Sequence, residues 1–179
     1  MNILIGVSAS IAIYRSCELV RELAKKGHKV RVVMTRNAQT WVSPVLFAAL
    51  SENEVYTESL NQGSAMPHID IRKDLDLFLV APATAHLVAR AALGMADDIL
   101  CATLLSFDGP RWFAPSMNPY MYAHPATRQN LEKLKSYGYH ILDPQNGEAV
   151  CGDEGEGKMM GIPQILAEIE GFRARKSKG

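Results

Sequence analysis

Residues 2–34 read NILIGVSASIAIYRSCELVRELAKKGHKVRVVM. Residues 2–7 form a continuous apolar run that stops at the small residues Ser8, Ala9 and Ser10, the mark of a strand buried on both faces. Over residues 11–26, Ile11, Cys17, Leu19, Val20, Leu23 and Ala24 fall on one helical stripe. Arg15, Arg21, Glu22, Lys25 and Lys26 lie away from it. Gly27 closes the helix as a C-terminal cap, and residues 28–34 make a second strand. Strand, helix and strand together are a right-handed crossover unit.

The same grammar continues outward. It predicts helices over residues 44–50, 83–92, 99–106, 125–137 and 163–173. Strands are expected over 54–56, over 75–80 with closure by Ala81 and Pro82, over 111–114 and over 139–142. Residues 147–161 are glycine-rich and are expected to form a long loop, either a functional lid or a disordered segment. No internal repeat or second core interrupts the pattern. The expected fold is α/β, a single doubly wound, Rossmann-like parallel sheet with helices on both faces, spanning residues 1–179 as one domain.

Composition bounds the function. The 179 residues are 47% hydrophobic and 21% charged, ordinary for a globular domain, and Lys plus Arg equals Asp plus Glu at 19 each. That balance gives no basic footprint for nucleic acid. The one cationic cluster, residues 173–179, is expected to be a disordered, solvated tail. Ser8 and Ser10 interrupt the apolar N-terminus, which has no basic flank, so neither a signal peptide nor a membrane span is expected. Cys17, Cys101 and Cys151 are too few for a disulfide framework and lack zinc spacing, pointing to a reducing, cytoplasmic setting without a metal site.

Ligands of a doubly wound sheet sit outside the C-terminal ends of its strands. The first such end, Gly6-Val7-Ser8-Ala9-Ser10, lacks the dinucleotide fingerprint G-x-G-x-x-G, but small residues and a helix start suit a phosphate. A serine N-cap without ligand explains it equally well. The second end carries Thr35 and Asn37, and the third Ala81-Pro82-Ala83-Thr84-Ala85-His86, low enough to leave room for a flat ring. Three such ends form a better signal than any one. His68 stands in a Gly- and Pro-containing loop, where it is either a surface residue or a general base. The segment Pro115-Ser116-Met117-Asn118-Pro119-Tyr120-Met121-Tyr122 suits a shaped apolar pocket with one polar fixture, Asn118, or a turn packed by methionine. Cys17 and Cys101 belong to helices. Cys151, between loop glycines, is either presented to a ligand or inert.

The ordered set GVSASIAIY, HIDI, APATA, PSMNPYMY and AVCGDEGEGKM resembles the homo-oligomeric flavin-containing cysteine decarboxylases over about residues 2–160. The resemblance implies an FMN-dependent carboxy-lyase domain that converts 4′-phosphopantothenoylcysteine to 4′-phosphopantetheine in coenzyme A biosynthesis. FMN would lie against Gly6, Ser8, Ala9, Ser10, Thr35, Asn37, Thr84, Ala85, His86 and Ser116. His68, Asn118 and Cys151 would be catalytic: His68 as the active-site histidine, Asn118 as the group fixing the substrate carboxylate, Cys151 as a proton donor on a covering flap. Met121, Ala149 and Val150 would join Asn118 around the substrate. The chemistry the resemblance implies has two halves: the cysteine moiety would first be oxidised and the thioaldehyde lose carbon dioxide, and the enethiol would then be reduced, so that the sum is redox-neutral. A cofactor carries such chemistry because a cysteine amide has no electron sink of its own.

The resemblance also implies a trimer or a tetrahedral dodecamer of trimers, and a fused or separate phosphopantothenoylcysteine synthetase as partner. The chain departs from relatives at Tyr122 (tryptophan in many), at His86-Leu87 (Asn-Thr in some) and at Lys73 (arginine in some). Three other readings share this frame: an oxidative decarboxylase of a peptide's C-terminal cysteine, a non-catalytic flavin-binding regulatory relative, and a flavin prenyltransferase. The Cys151 segment disfavours the first, the joint presence of His68, Asn118 and Cys151 the second, and PSMNPYMY the third.

Overall fold

A computed structural model of the chain describes residues 1–58, 67–148, 150 and 152–176. Its elements in chain order are β1 (Asn2–Val7), α1 (Ile13–Lys25), β2 (Lys29–Met34), α2 (Arg36–Gln39), α3 (Pro44–Ser51), β3 (Val55–Tyr56) and α4 (Pro67–Ile71). There follow β4 (Leu77–Ala83), α5 (Ala85–Ala92), α6 (Ile99–Ser106), β5 (Arg111–Pro115), α7 (Pro119–Ala123) and α8 (Pro125–Ser136). The chain closes with β6 (His140–Ile141), β7 (Gln145–Glu148), β8 (Glu154–Lys158) and α9 (Ile162–Lys176). Strands β1 to β6 form one parallel sheet in the order β3-β2-β1-β4-β5-β6. From β1 the chain runs outward to β3, then returns to β4 on the other side. The crevice between the ends of β1 and β4 is therefore the switch point where such sheets bind ligands.

Alternation along the strands divides the core. Ile3, Ile5 and Val7 pack with Leu19, Leu23, Val32 and Ile165 on the face covered by α1, α3 and α9. Leu4 packs with Phe78, Val80, Leu87, Leu100 and Phe113 on the face of α5, α6 and α8. Each fully buried Leu, Ile or Phe contributes roughly 1.5–3 kcal/mol of transfer free energy. Gly6 belongs to this second face: a Cβ there would lie 3.0 Å from Phe78 and 3.3 Å from Leu100.

Several expectations need correction. Strand β4 does not stop at Ala81 but runs through a cis Ala81–Pro82 bond to Ala83, with a register shift that lets Ala83 pair with Pro115. Proline donates no ladder bond, and side chains take the carbonyls around it: Ser16 donates to Ala81 O at 2.8 Å and Ser8 to Pro82 O at 2.7 Å. The glycine-rich stretch is not one long loop. The end of β7 and all of β8 fall within it, and the two pair as an antiparallel hairpin apart from the main sheet. The basic tail is helical to Lys176, because Arg173 pairs with Glu170 and Lys176 with Asp76, whose other oxygen accepts from Asn2 N. The helix of α1 begins at Ile13 rather than Ile11, and His68 lies on the short helix α4 rather than in a loop. Among the described residues no helix is long and apolar enough to cross a membrane, and no cluster of His, Cys, Asp or Glu is placed to hold a metal ion.

Candidate functional site

The ends of β1, β2, β4 and β5, roofed in part by the β7–β8 hairpin, enclose a cavity of about 1100 Å³. That is ample for a ligand of cofactor size. Ser8, Ala9 and Ser10 form its floor at the switch point, Thr35 and Asn37 one wall, and Thr84, Ala85 and His86 another. Ser116, Asn118 and Met121 enter from the end of β5, and Val150 from the hairpin.

The floor is tied together by its own hydroxyls. Ser8 gives its proton to Pro82 O and accepts from Thr84 N at 3.2 Å, locking the ends of β1 and β4 side by side. Ser10 and Ser116 hydroxyls lie 3.1 Å apart, joining β1 to β5. All three serines are buried. Ser8 thus serves to shape the floor, because its one proton is already given away. Thr35 and Thr84 cap α2 and α5 by accepting from Ala38 N and Leu87 N, each at 3.3 Å. A capping hydroxyl accepts through a lone pair and retains its own O–H for a ligand oxygen. Helix α1 opens at Ala12, whose own N donates to Ser10 Oγ at 3.3 Å while Ile13 N donates to Ser10 O at 2.9 Å, and the positive dipole end of the helix lies beside the cavity floor.

The hairpin is held onto the segment after β5. Met117 N donates to Gly157 O at 3.0 Å, and a Cβ at Gly157 would lie 2.4 Å from Met117 O. Only glycine admits that backbone contact. Arg15 of α1 donates to Met159 O at 2.8 Å, tethering the other end of β8. Asn118 caps α7: its Oδ1 accepts from Tyr120 N at 2.8 Å, and its Nδ2 donates to Asp153 Oδ2 at 2.6 Å.

Three features of the site escaped the sequence reading. Arg90 is only 7% exposed and lines the cavity with the two carboxylates it binds, Asp97 and Asp98. Those carboxylates hold the guanidinium in its charged form against the cost of burial. Asp98 also caps α6, accepting from Cys101 N at 2.8 Å. The aspartate before an apolar run was a readable cap signal. The burial of Arg90 had none, because a helical arginine ordinarily faces water. Arg15 and Asp153, the second and third, had none either.

Not every expected residue reaches the cavity. Gly6 lies beneath it, facing the core, and His68 is absent from its lining in a single chain. Ala149 and Cys151 lie outside the described residues. Cys101 is buried, and burial pushes its thiol up to about 12; half-buried Cys17 is raised for the same reason.

The sequence profile of the family described as Flavoprotein matches residues 1–174. The chain is 43% identical over 160 residues to the coenzyme A biosynthesis bifunctional protein CoaBC of Bacillus subtilis, an alignment covering 88% of this chain and 39% of that protein. It is 43% identical over 170 residues to the protein of the same description from Mycobacterium tuberculosis H37Rv, covering 94% and 41%. The chain thus spans about two fifths of the length of the curated relatives it matches. Among solved structures, the FMN-dependent cysteine decarboxylase SpaF superposes with a TM-score of 0.81 at 27% identity, covering 94% of each chain. A cysteine-to-serine mutant of PPC decarboxylase complexed with pantothenoylaminoethenethiol gives 0.87 at 24% identity, covering 97% of this chain and 98% of that one, a likeness of fold.

Proposed function

The chain belongs to the Flavoprotein family, and from that premise we propose that it binds FMN and decarboxylates 4′-phosphopantothenoylcysteine to 4′-phosphopantetheine, a step of coenzyme A biosynthesis. The observation that carries this reading is the meeting of three small-residue strand ends with Asn118 on one cavity. Similarity to the CoaBC proteins supports the choice of substrate.

The residues present fit the cofactor. Ala9 and Ala85 leave the floor low, the positive dipole end of α1 and the O–H groups of Thr35 and Thr84 suit a phosphate, and Asn37 and His86 flank it. Bound FMN supplies a reversible two-electron acceptor, which no side chain offers. Asn118 holds the substrate carboxylate through its Nδ2 donor. That grip orients the carbon–carbon bond to be broken and keeps the carboxylate ionised until it leaves as carbon dioxide. Met121 and Val150 give the cysteine moiety an apolar wall. His68 accepts the proton released on oxidation, and Cys151 supplies the one required on reduction. A synthetase, fused or separate, would supply the substrate.

We expect the purified protein to be yellow and to release FMN on denaturation. Its product should have lost carbon dioxide with no net change of oxidation state, as read by mass spectrometry. A product two hydrogens lighter would favour oxidative decarboxylation of a peptide cysteine, and no flavin binding even after adding FMN would overturn the reading.

A trimer-based homo-oligomer completes the proposal. Ile11, Tyr14, Met121 and Val150 line the cavity mouth yet are 54%, 67%, 50% and 83% exposed, an apolar rim suited to a neighbouring copy. The position of His68 away from its own chain's cavity fits a histidine delivered to that neighbour. Light scattering should report a trimer or a multiple of one, and a fully active monomer would refute this assembly.

A further inference from the structure

We propose that Asp153 is an internal stand-in for the substrate carboxylate, holding Asn118 whenever the ligand in the cavity has none. The inference deepens the function proposed above and rests on it. The amide of Asn118 is oriented from both ends. Oδ1 is committed to Tyr120 N at 2.8 Å, so Nδ2 is turned to the opposite side, and there it donates to Asp153 Oδ2 at 2.6 Å. That separation belongs to a charge-assisted bond. The donor expected to grip a carboxylate already grips one, supplied by the chain itself.

Asp153 directly precedes β8, and β8 is pinned to the same backbone segment by Met117 N to Gly157 O at 3.0 Å. The hairpin therefore delivers the carboxylate to Asn118 by a short, braced path. A substrate carboxylate seated on the same nitrogen would lie against Asp153, and two like charges in a partly desolvated cleft repel. Nδ2 carries two N–H groups, so the competition lies in that repulsion: substrate binds weakly while Asp153 stays and tightly once it has moved aside. The product has lost its carboxylate, so Asp153 returns to Asn118 while product is still bound. Asp153 thus weakens substrate binding and leaves product binding untouched, a device that separates the two ligands by the one group that the reaction removes.

The test is the steady-state behaviour of the holoenzyme and its Asp153→Ala variant. KM for phosphopantothenoylcysteine should fall by about tenfold, as expected for losing a competitor held by a charge-assisted hydrogen bond. The inhibition constant of phosphopantetheine should stay within about twofold. Asp153→Asn, which keeps the shape and removes the charge, should fall between wild type and Asp153→Ala in KM. A raised KM, an unchanged KM, or equal movement of both constants would overturn the proposal and make Asp153 a positioning group for Asn118. Wild-type protein that fails to turn over phosphopantothenoylcysteine removes the functional reading together with this inference. Wild-type turnover with an unmoved KM in Asp153→Ala removes this inference alone.

Discussion

Asn118→Asp is expected to lower turnover by at least about 10²-fold while FMN stays bound and the protein still unfolds cooperatively, with a melting temperature only about 3–8 °C lower. Aspartate is as good an N-cap as asparagine, so the bond from Tyr120 N survives and α7 remains in place. What disappears is the Nδ2 donor. What replaces it is an anion facing both the incoming substrate carboxylate and Asp153, which stands 2.6 Å from Nδ2 in the native chain. Losing a hydrogen bond to a charged group and gaining a like charge together amount to about 3 kcal/mol or more of transition-state stabilisation. Turnover, flavin absorbance and a thermal melt on one preparation separate the chemical loss from a folding defect. A variant that turns over at the wild-type rate would assign Asn118 to capping alone.

Cys151→Ser should uncouple the two halves of the reaction. The variant should still bind FMN, oxidise phosphopantothenoylcysteine and release carbon dioxide, then stall with the flavin reduced and a product two hydrogens lighter than phosphopantetheine. Returning the hydride needs an acid beside the enethiol, and a thiol with an ordinary value near 8.5 can act near neutrality where a serine hydroxyl cannot. Neither remaining thiol is a substitute. Cys101 is buried with its thiol pushed up to about 12, Cys17 is raised by burial, and neither lines the cavity. Mass spectrometry of the product alongside flavin absorbance reads both halves. Ordinary phosphopantetheine formed at an undiminished rate would make Cys151 a bystander.

What could be read locally was read well. Residues 2–7 are apolar and end in small residues, and β1 spans Asn2–Val7; the helix expected over residues 99–106 is α6, Ile99–Ser106. The places where local reading failed share a cause. Pro82 punctuates a sequence, yet β4 passes through it because Ser8 and Ser16, 74 and 65 residues away, take the neighbouring carbonyls. Glycines at 147, 155 and 157 suggest a loop, yet they let two strands pair and lie on the segment after β5, with Gly155 against Pro119 and Gly157 against Met117 O.

The sequence alone therefore determined the six strands of the parallel sheet, the longer helices between them and the segments that carry Ser8, Thr35, Thr84 and Asn118, but not α2, α4, α7 or the β7–β8 hairpin. Hydrophobic periodicity and caps act within a few residues and are written where they act. Tertiary structure decided what those groups are free to do. It committed the Ser8 proton to Pro82, buried Arg90 between Asp97 and Asp98, kept His68 off its own chain's cavity and brought Asp153 onto Asn118 across 35 residues. A hydrogen bond's partner depends on where distant backbone comes to lie, and only the packed fold sets that distance.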